Sequence, residues 1–199
     1  MDYQTILFDF DGVLCKGRLY DKTLLPNYRE VYNWIQSNIF DDKELVRKWM
    51  RNQINSAGIN KLIAKNTDIG YEKLNRLYEE SVRTMKTEED LLELARTLKS
   101  SGKKIGIVTD NMDVFTKIIV PTCRLDTQFD VIINSADYGV LKKEENGRLF
   151  DIALTTLGVN IENSLMIDDS ESKIEVYKQK GGHGFVYQDT AELKSFLQT

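Results

Sequence analysis

Asp9 and Asp11 stand one residue apart at the end of the apolar run Ile6-Leu7-Phe8, and Gly12 follows them. In an extended strand the side chains at i and i+2 face the same side, so the two carboxylates converge just past the strand end. The glycine lets the backbone turn away there without steric cost. Two facing carboxylates repel, and one is driven toward its neutral form unless a partner offsets the charge. The usual partner is a hard divalent cation with oxygen ligands, most simply magnesium. Read alone, Asp-x-Asp-Gly is equally a solvated turn after a strand, because Asp and Gly both favour turns.

Chemistry at one strand end needs other elements to complete it. After Met85 the chain alternates helix and strand. Thr87-Glu88-Glu89-Asp90 reads as a capping box opening a helix through Leu91, Leu94, Ala95 and Leu98, which Gly102 ends. A strand over Lys104–Val108 follows, then a helix from Val114 to Val120 stopped by Pro121, and a strand from Phe129 to Ile133. Next come a helix from about Phe150 to Leu157 closed by Gly158, a strand from Ser164 to Ile167, and a helix from Ser170 to Lys180 closed by Gly181-Gly182. A strand from Phe185 to Tyr187 and a helix from Thr190 complete the chain. Five short strands separated by helices specify an α/β fold, a doubly wound parallel sheet. Such sheets bind ligands outside the carboxyl ends of their strands. The residues there are Asp9 and Asp11 after the first strand, Thr109-Asp110-Asn111 after the second, and Asp168-Asp169 after the fourth. That set asks for a cation and an anionic substrate.

From about Lys22 to Arg83 the periodicity is helical instead. Tyr28, Val31, Tyr32 and Ile35 lie at i, i+3, i+4 and i+7, and Leu45 with Trp49, and Leu74, Leu77 and Tyr78, keep similar spacing. Three to four helices are expected, with Pro26 in the first turn of one and Gly58 and Gly70 between others. The aromatic residues read as core, and Arg18, Arg47, Lys48 and Arg51 as solvated helix faces.

Composition narrows the function classes. The chain has 199 residues, 41% of them hydrophobic, enough for a sizeable core and for two packed units but not many, and a net charge of −4. The acidic balance argues against nucleic acid or an anionic membrane surface as the main partner. No run approaches a membrane span and the N-terminus enters the first strand directly, so a cytoplasmic location is expected. Cys15 and Cys123 match no metal spacing and read as free thiols, and the single histidine, His183, is far from both in sequence.

These motifs, in this order and spacing, resemble those of the haloacid dehalogenase (HAD) superfamily, mostly phosphatases and other phosphoryl-transfer enzymes. Asp9 to Gly12 is close to the first motif, Thr109 matches the second, and Asp168-Asp169-Ser170 resembles the double-acid form of the fourth. The resemblance implies a Rossmann-like core over residues 1–16 and 86–199, with a small all-helical cap of the C1 type over 17–85, inserted after the first strand. Hinges are expected near Lys16-Gly17 and Met85-Lys86. It also implies roles. Asp9 is the nucleophile that becomes an aspartyl-phosphate, and Asp11 the acid/base. Thr109, Asp110 and a lysine bind the phosphate, and magnesium is held by Asp9, Asp11, Asp168 and Asp169.

The third motif departs from the family pattern. By its offset from Gly139 the matching lysine is Lys142, with Lys143 in the place of the usual proline, and neighbouring side chains diverge, so only one of the two can reach Asp9. A second departure is Lys173, where double-acid members often carry Asn. The expected function is a magnesium-dependent phosphatase of a small phosphorylated metabolite. Phosphoryl transfer of the sugar-phosphomutase kind and a non-catalytic binding protein on the same fold are the alternatives. Halide removal and phosphonate cleavage are disfavoured by Asp11, which haloacid-processing members lack and which the phosphonate branch replaces with Ala.

Overall fold

Apolar strands buried on both faces are the signature of a parallel sheet, and the computed structural model, which describes residues 3–198, contains one. Its strands are β1 (Thr5–Phe8), β2 (Lys104–Thr109), β3 (Val131–Asn134), β4 (Ser164–Asp168) and β5 (His183–Val186), in the order β3-β2-β1-β4-β5 and all parallel. The chain winds outward from β1 to β3, then returns to the other side of β1 to lay down β4 and β5. The strand order therefore reverses at β1, where Phe8 pairs with Ile107 on one side and Ile167 on the other. Asp9, Thr109 and Asp168 all sit at the carboxyl ends of these three central strands.

The helices are α1 (Arg29–Ile35), α2 (Lys43–Met50), α3 (Ser56–Asn66), α4 (Tyr71–Arg83), α5 (Glu89–Ser100), α6 (Val120–Thr122), α7 (Leu125–Gln128), α8 (Ser135–Tyr138), α9 (Arg148–Leu157), α10 (Glu171–Gln179) and α11 (Thr190–Gln198). None is long and apolar enough to cross a membrane. Alternate strand residues divide between two cores. Ile6, Phe8, Ile105, Ile107, Leu165 and Ile167 pack with Leu91 and Leu98 of α5 and Leu193 of α11. Leu7, Val108, Ile133 and Met166 pack with Phe150 and Leu154 of α9 and Ile174 and Tyr177 of α10. The period-two alternation of each strand thus feeds helices on both faces.

Several boundaries differ from the expectations above. Pro121 does not stop a helix: a π-type turn over Phe115–Ile119 passes straight into α6, which runs through Pro121 to Thr122. Thr87 is not a cap, because its backbone pairs with Cys15, and Glu88 precedes α5 without any side-chain cap bond. Pro26 lies in a turn before α1. Gly58 lies inside the first turn of α3, where its N–H donates to Asn55 Oδ1, so Asn55 is the true start. The strands expected at 129–133 and 185–187 run instead over Val131–Asn134 and His183–Val186.

Helices α1 to α4 form the insert, and its two connections to the sheet run side by side through the pairing of Cys15 with Thr87 and the bond from Glu88 N to Leu14 O. Trp49, Ile59 and Tyr78 of the insert belong to the same apolar cluster as Phe10 and Phe115. Polar bonds fix the contact. Ser56, at the start of α3, donates its N–H to Asp113 Oδ1 at 3.0 Å and its hydroxyl to the same oxygen at 2.5 Å, and it also meets Trp49 Nε1 and the Tyr78 hydroxyl. Arg51, just after α2, grips Glu144 with two guanidinium nitrogens. Burial works against the charge of Asp113, but Ser56 and Lys117 outweigh it and hold its carboxyl below the ordinary range. Arg51 does the same for Glu144.

Removing the Asp113 carboxylate leaves the buried Ser56 N–H and hydroxyl without their acceptor. Asp113→Ala is expected to lower stability by about 1–3 kcal/mol in urea denaturation, and Asp113→Asn, which keeps an acceptor, by less. Because the folded-state pKa values of Asp113 and Glu144 lie below their unfolded values, this stabilisation is complete above the ordinary carboxylate range. It is lost as the pH falls below about 4, which a urea series against pH measures.

Candidate active site

Lys142 is the centre of the site. Its side chain is fully buried, with Nζ 2.7 Å from Asp9 Oδ2 and 2.6 Å from Asp168 Oδ2, so one amine stands between the ends of β1 and β4. Its backbone N–H donates to Asp110 Oδ1 at 2.7 Å, which fixes the turn that carries it. Lys143 points away, with Nζ at 3.2 Å from Ser172 Oγ on the surface. Neighbouring lysines on a turn diverge as expected, and Lys142 is the one that reaches Asp9.

Asp9 accepts the N–H of Phe10 on Oδ1 at 2.8 Å and is almost wholly buried. Burial alone would raise its pKa, but Lys142 and then Lys173 outweigh that penalty, and the carboxyl is held below the usual range. Thr109 is buried at the end of β2. Its hydroxyl has no hydrogen-bond partner of good geometry among the described residues, yet lies close enough to Asp9 to favour its charge. The Asp110 side chain is engaged by the Lys142 N–H on Oδ1 and approached by Lys173 Nζ, 3.8 Å from Oδ2. Asp11 receives Asn111 Nδ2 on Oδ2 at 3.0 Å. Burial first, and then the charge of Asp9, push its pKa up to about 7 against the pull of Lys173 and Lys142. One carboxylate is thus kept anionic and its neighbour is poised near neutrality, the division of labour that acid/base chemistry uses.

Asp168 accepts the N–H of Ser170 on Oδ1 and is pushed upward by burial and by the charge of Asp9. Oxygens of Asp9, Asp168 and Asp169 lie within 4.8 Å of one another, the first two buried and the third exposed. Three hard oxygen donors with one open side suit a divalent cation that keeps part of its water. Gly12 makes this closeness possible: at φ +83° it turns the loop, and a Cβ there would lie 2.2 Å from Asp169 Oδ2. Sequence reasoning gathered Asp9, Asp11, Thr109, Asp110, Lys142, Asp168 and Asp169, and all seven meet at this sheet edge.

Two further contributors were not recognised as site residues from sequence. Lys173, noted only as a departure, places Nζ 3.5 Å from Asp9 Oδ2, 3.8 Å from Asp110 Oδ2 and 4.0 Å from Asp168 Oδ1. Its burial would lower its pKa, but Asp9, Asp168 and Asp110 hold it well above the ordinary lysine value. Its position one turn beyond Asp169, on α10, was the available signal. Ser135 at the start of α8 takes the N–H of Asn111 and donates its hydroxyl to the Met50 carbonyl of the insert. No pattern in the sequence marks that residue.

The sequence pattern of the haloacid dehalogenase-like hydrolases matches residues 3–179. The chain belongs to that family. The phosphoserine phosphatase of Methanocaldococcus jannaschii is 22% identical over 185 positions, which cover 88% of this chain and 82% of that protein. The pyrophosphatase PpaX of Bacillus mycoides is 24% identical over 204 positions, covering 100% and 89%. Among solved structures, a HAD family enzyme of Bacteroides thetaiotaomicron in its magnesium complex superposes with a TM-score of 0.76 at 15% identity over the whole of both chains. The same enzyme with magnesium and inorganic phosphate gives a TM-score of 0.69 at 16% identity, covering 96% and 98%. These likenesses carry the HAD hydrolase fold.

Because Lys142 offsets two buried carboxylates, Lys142→Ala is expected to cost about 3–5 kcal/mol at pH 7.5, as removal of one partner from a buried ion cluster does. Without the amine the folded-state pKa of Asp9 rises above its unfolded value, and that of Asp168, already raised, rises further. The penalty then grows as the pH climbs through those raised values and shrinks by pH 5, where the acids bind protons. Lys143→Ala should stay within about ±0.5 kcal/mol. Urea denaturation of both variants at the two pH values checks this.

Proposed function

We propose that this HAD hydrolase is a magnesium-dependent phosphatase that cleaves a small phosphorylated metabolite through an aspartyl-phosphate on Asp9. The observation that carries the reading is a buried carboxylate held anionic by Lys142, next to a Thr109 hydroxyl with no settled partner. A nucleophile and a phosphate-oxygen donor therefore stand side by side. The likeness to the phosphoserine phosphatase, the pyrophosphatase and the enzyme that binds magnesium with inorganic phosphate supports the same reaction class.

Asp9 attacks phosphorus, an Asp9–phosphorus bond forms, and the bond to the leaving oxygen breaks. Asp11, ionising near neutrality, gives its proton to that oxygen. In the second half Asp11 takes a proton from water, the water oxygen attacks phosphorus, and the bond to Asp9 breaks, giving an alcohol and phosphate. Lys142 and Lys173 reduce the repulsion between carboxylate and phosphate, and Thr109 with the backbone amides of the turn after β2 holds phosphoryl oxygens. Asp9, Asp168, Asp169 and the backbone carbonyl of Asp11 would hold magnesium, which supplies positive charge to the transferring oxygens. The insert over 17–85 serves as the lid of a core formed by 1–16 and 86–199, excluding water during transfer.

A panel of phosphorylated metabolites assayed with magnesium and with chelator tests this reading. Turnover is expected only with magnesium, and acid-quenched protein should carry the phosphoryl group on Asp9. Asp9→Asn should abolish turnover, Asp11→Asn should lower it by ~10²–10⁴-fold, and Asp169→Ala should raise the magnesium requirement sharply. Full turnover by Asp9→Asn would remove the covalent route.

A further inference from the structure

A cavity of about 560 Å³ lies between the insert and the core, and Asp11, Gly12 and Asn111 of the site are part of its lining. Its walls are mostly apolar. Leu19, Phe40, Val46 and Met85 of the insert and Met112 and Val114 of the core line it. The polar side chains that line it, apart from Asp11 and Asn111, are the half-buried Gln36 and the exposed Lys16, Arg18 and Lys43. A leaving group attached to a phosphate on Asp9 enters this space, because Asp11 is the residue that protonates it and Asp11 lines the cavity.

We propose that the leaving group is an apolar alcohol: the substrate is the phosphate monoester of an aliphatic or aromatic body of several carbons. Such a body fits the apolar part of the lining better than pyrophosphate, a polyol phosphate or a phospho-amino acid does. The inference rests on the phosphatase reading of the site and adds its substrate class. A hydroxyl-rich leaving group would give up its hydration against Phe40, Val46, Met85 and Met112, which offer it no hydrogen bond, while Lys16, Arg18 and Lys43 are exposed and keep their own water. An alkyl or aryl group loses nothing there and gains from every buried methylene. The unbranched methionines adapt to its outline, so several related bodies fit. The reaction balances as simple hydrolysis: the ester and water give the apolar alcohol and inorganic phosphate, with no other reactant.

Ethyl, butyl and hexyl phosphate share one intrinsic leaving-group reactivity, so differences among them report the cavity rather than the chemistry. With magnesium present, kcat/KM of the full-length protein should rise about fourfold for each added methylene until the space is filled. Hexyl phosphate should exceed glycerol phosphate, phosphoserine and pyrophosphate by at least about tenfold. Val46→Gln and, separately, Met85→Gln should flatten that length series, and either variant suffices if the other fails to fold. A length series that is flat in the unmodified protein, or a preference for glycerol phosphate, phosphoserine or pyrophosphate, overturns the inference and leaves the phosphatase reading standing. Failure to hydrolyse any ester of the set removes both.

Discussion

A buried amine between two buried carboxylates is the interaction on which the arrangement depends. Asp9 and Asp168 end neighbouring strands, and a parallel sheet brings those ends together whatever they carry. Two acids so placed, away from water, would neutralise themselves by taking up a proton. Lys142 makes the alternative possible by offering one hydrogen-bonding charge to both. The sheet fixes the acids, and the remaining problem is to fix the lysine, which belongs to a turn with no regular structure of its own.

That turn is held by side chains drawn from elsewhere. Asp110 accepts the N–H of Lys142, and Glu144 accepts the N–H of Leu141 while being gripped by Arg51 of the insert. Ser135 links the Met50 carbonyl of the insert to the N–H of Asn111, whose side chain in turn holds Asp11. The end of α2 therefore touches both loops that position site residues, and the insert is part of what sets the geometry below it. Trp49 and Tyr78, packed on the same apolar cluster as Phe10, add area to this contact, so the seated position of the insert has a large hydrophobic contribution.

The strand ends and their acids were legible because each signal is local. A short apolar run ending in Asp or Thr says both that a strand stops and what it presents. Lys142 was legible only through its offset from Gly139, and the choice against Lys143 needed the turn itself. Lys173 was visible as an oddity, but its approach to Asp9 depends on the seating of α10 against β4, a tertiary fact. Arg51 was read as solvated because a helix face with several cations is usually exposed, yet Glu144 lies 93 residues away and comes beside it only when the insert docks. Pro121, Thr87 and Gly58 were misplaced for a common reason. Each is a strong local punctuation mark: Thr87 is overridden by its pairing with Cys15, Pro121 by the turn that runs through it, and Gly58 by the stronger local cap Asn55.

The central claim is that Asp9 stays anionic because Lys142 and Lys173 face it, while Asp11 beside it carries the mobile proton. Carbon-13 NMR titration of the aspartate carboxyl groups in the metal-free protein measures this directly. The account predicts an Asp9 signal that remains that of a carboxylate from neutral pH down to below about 4, and an Asp11 signal that titrates at about 7. An Asp9 carboxyl protonated at neutral pH, with Asp11 ionised, would contradict it.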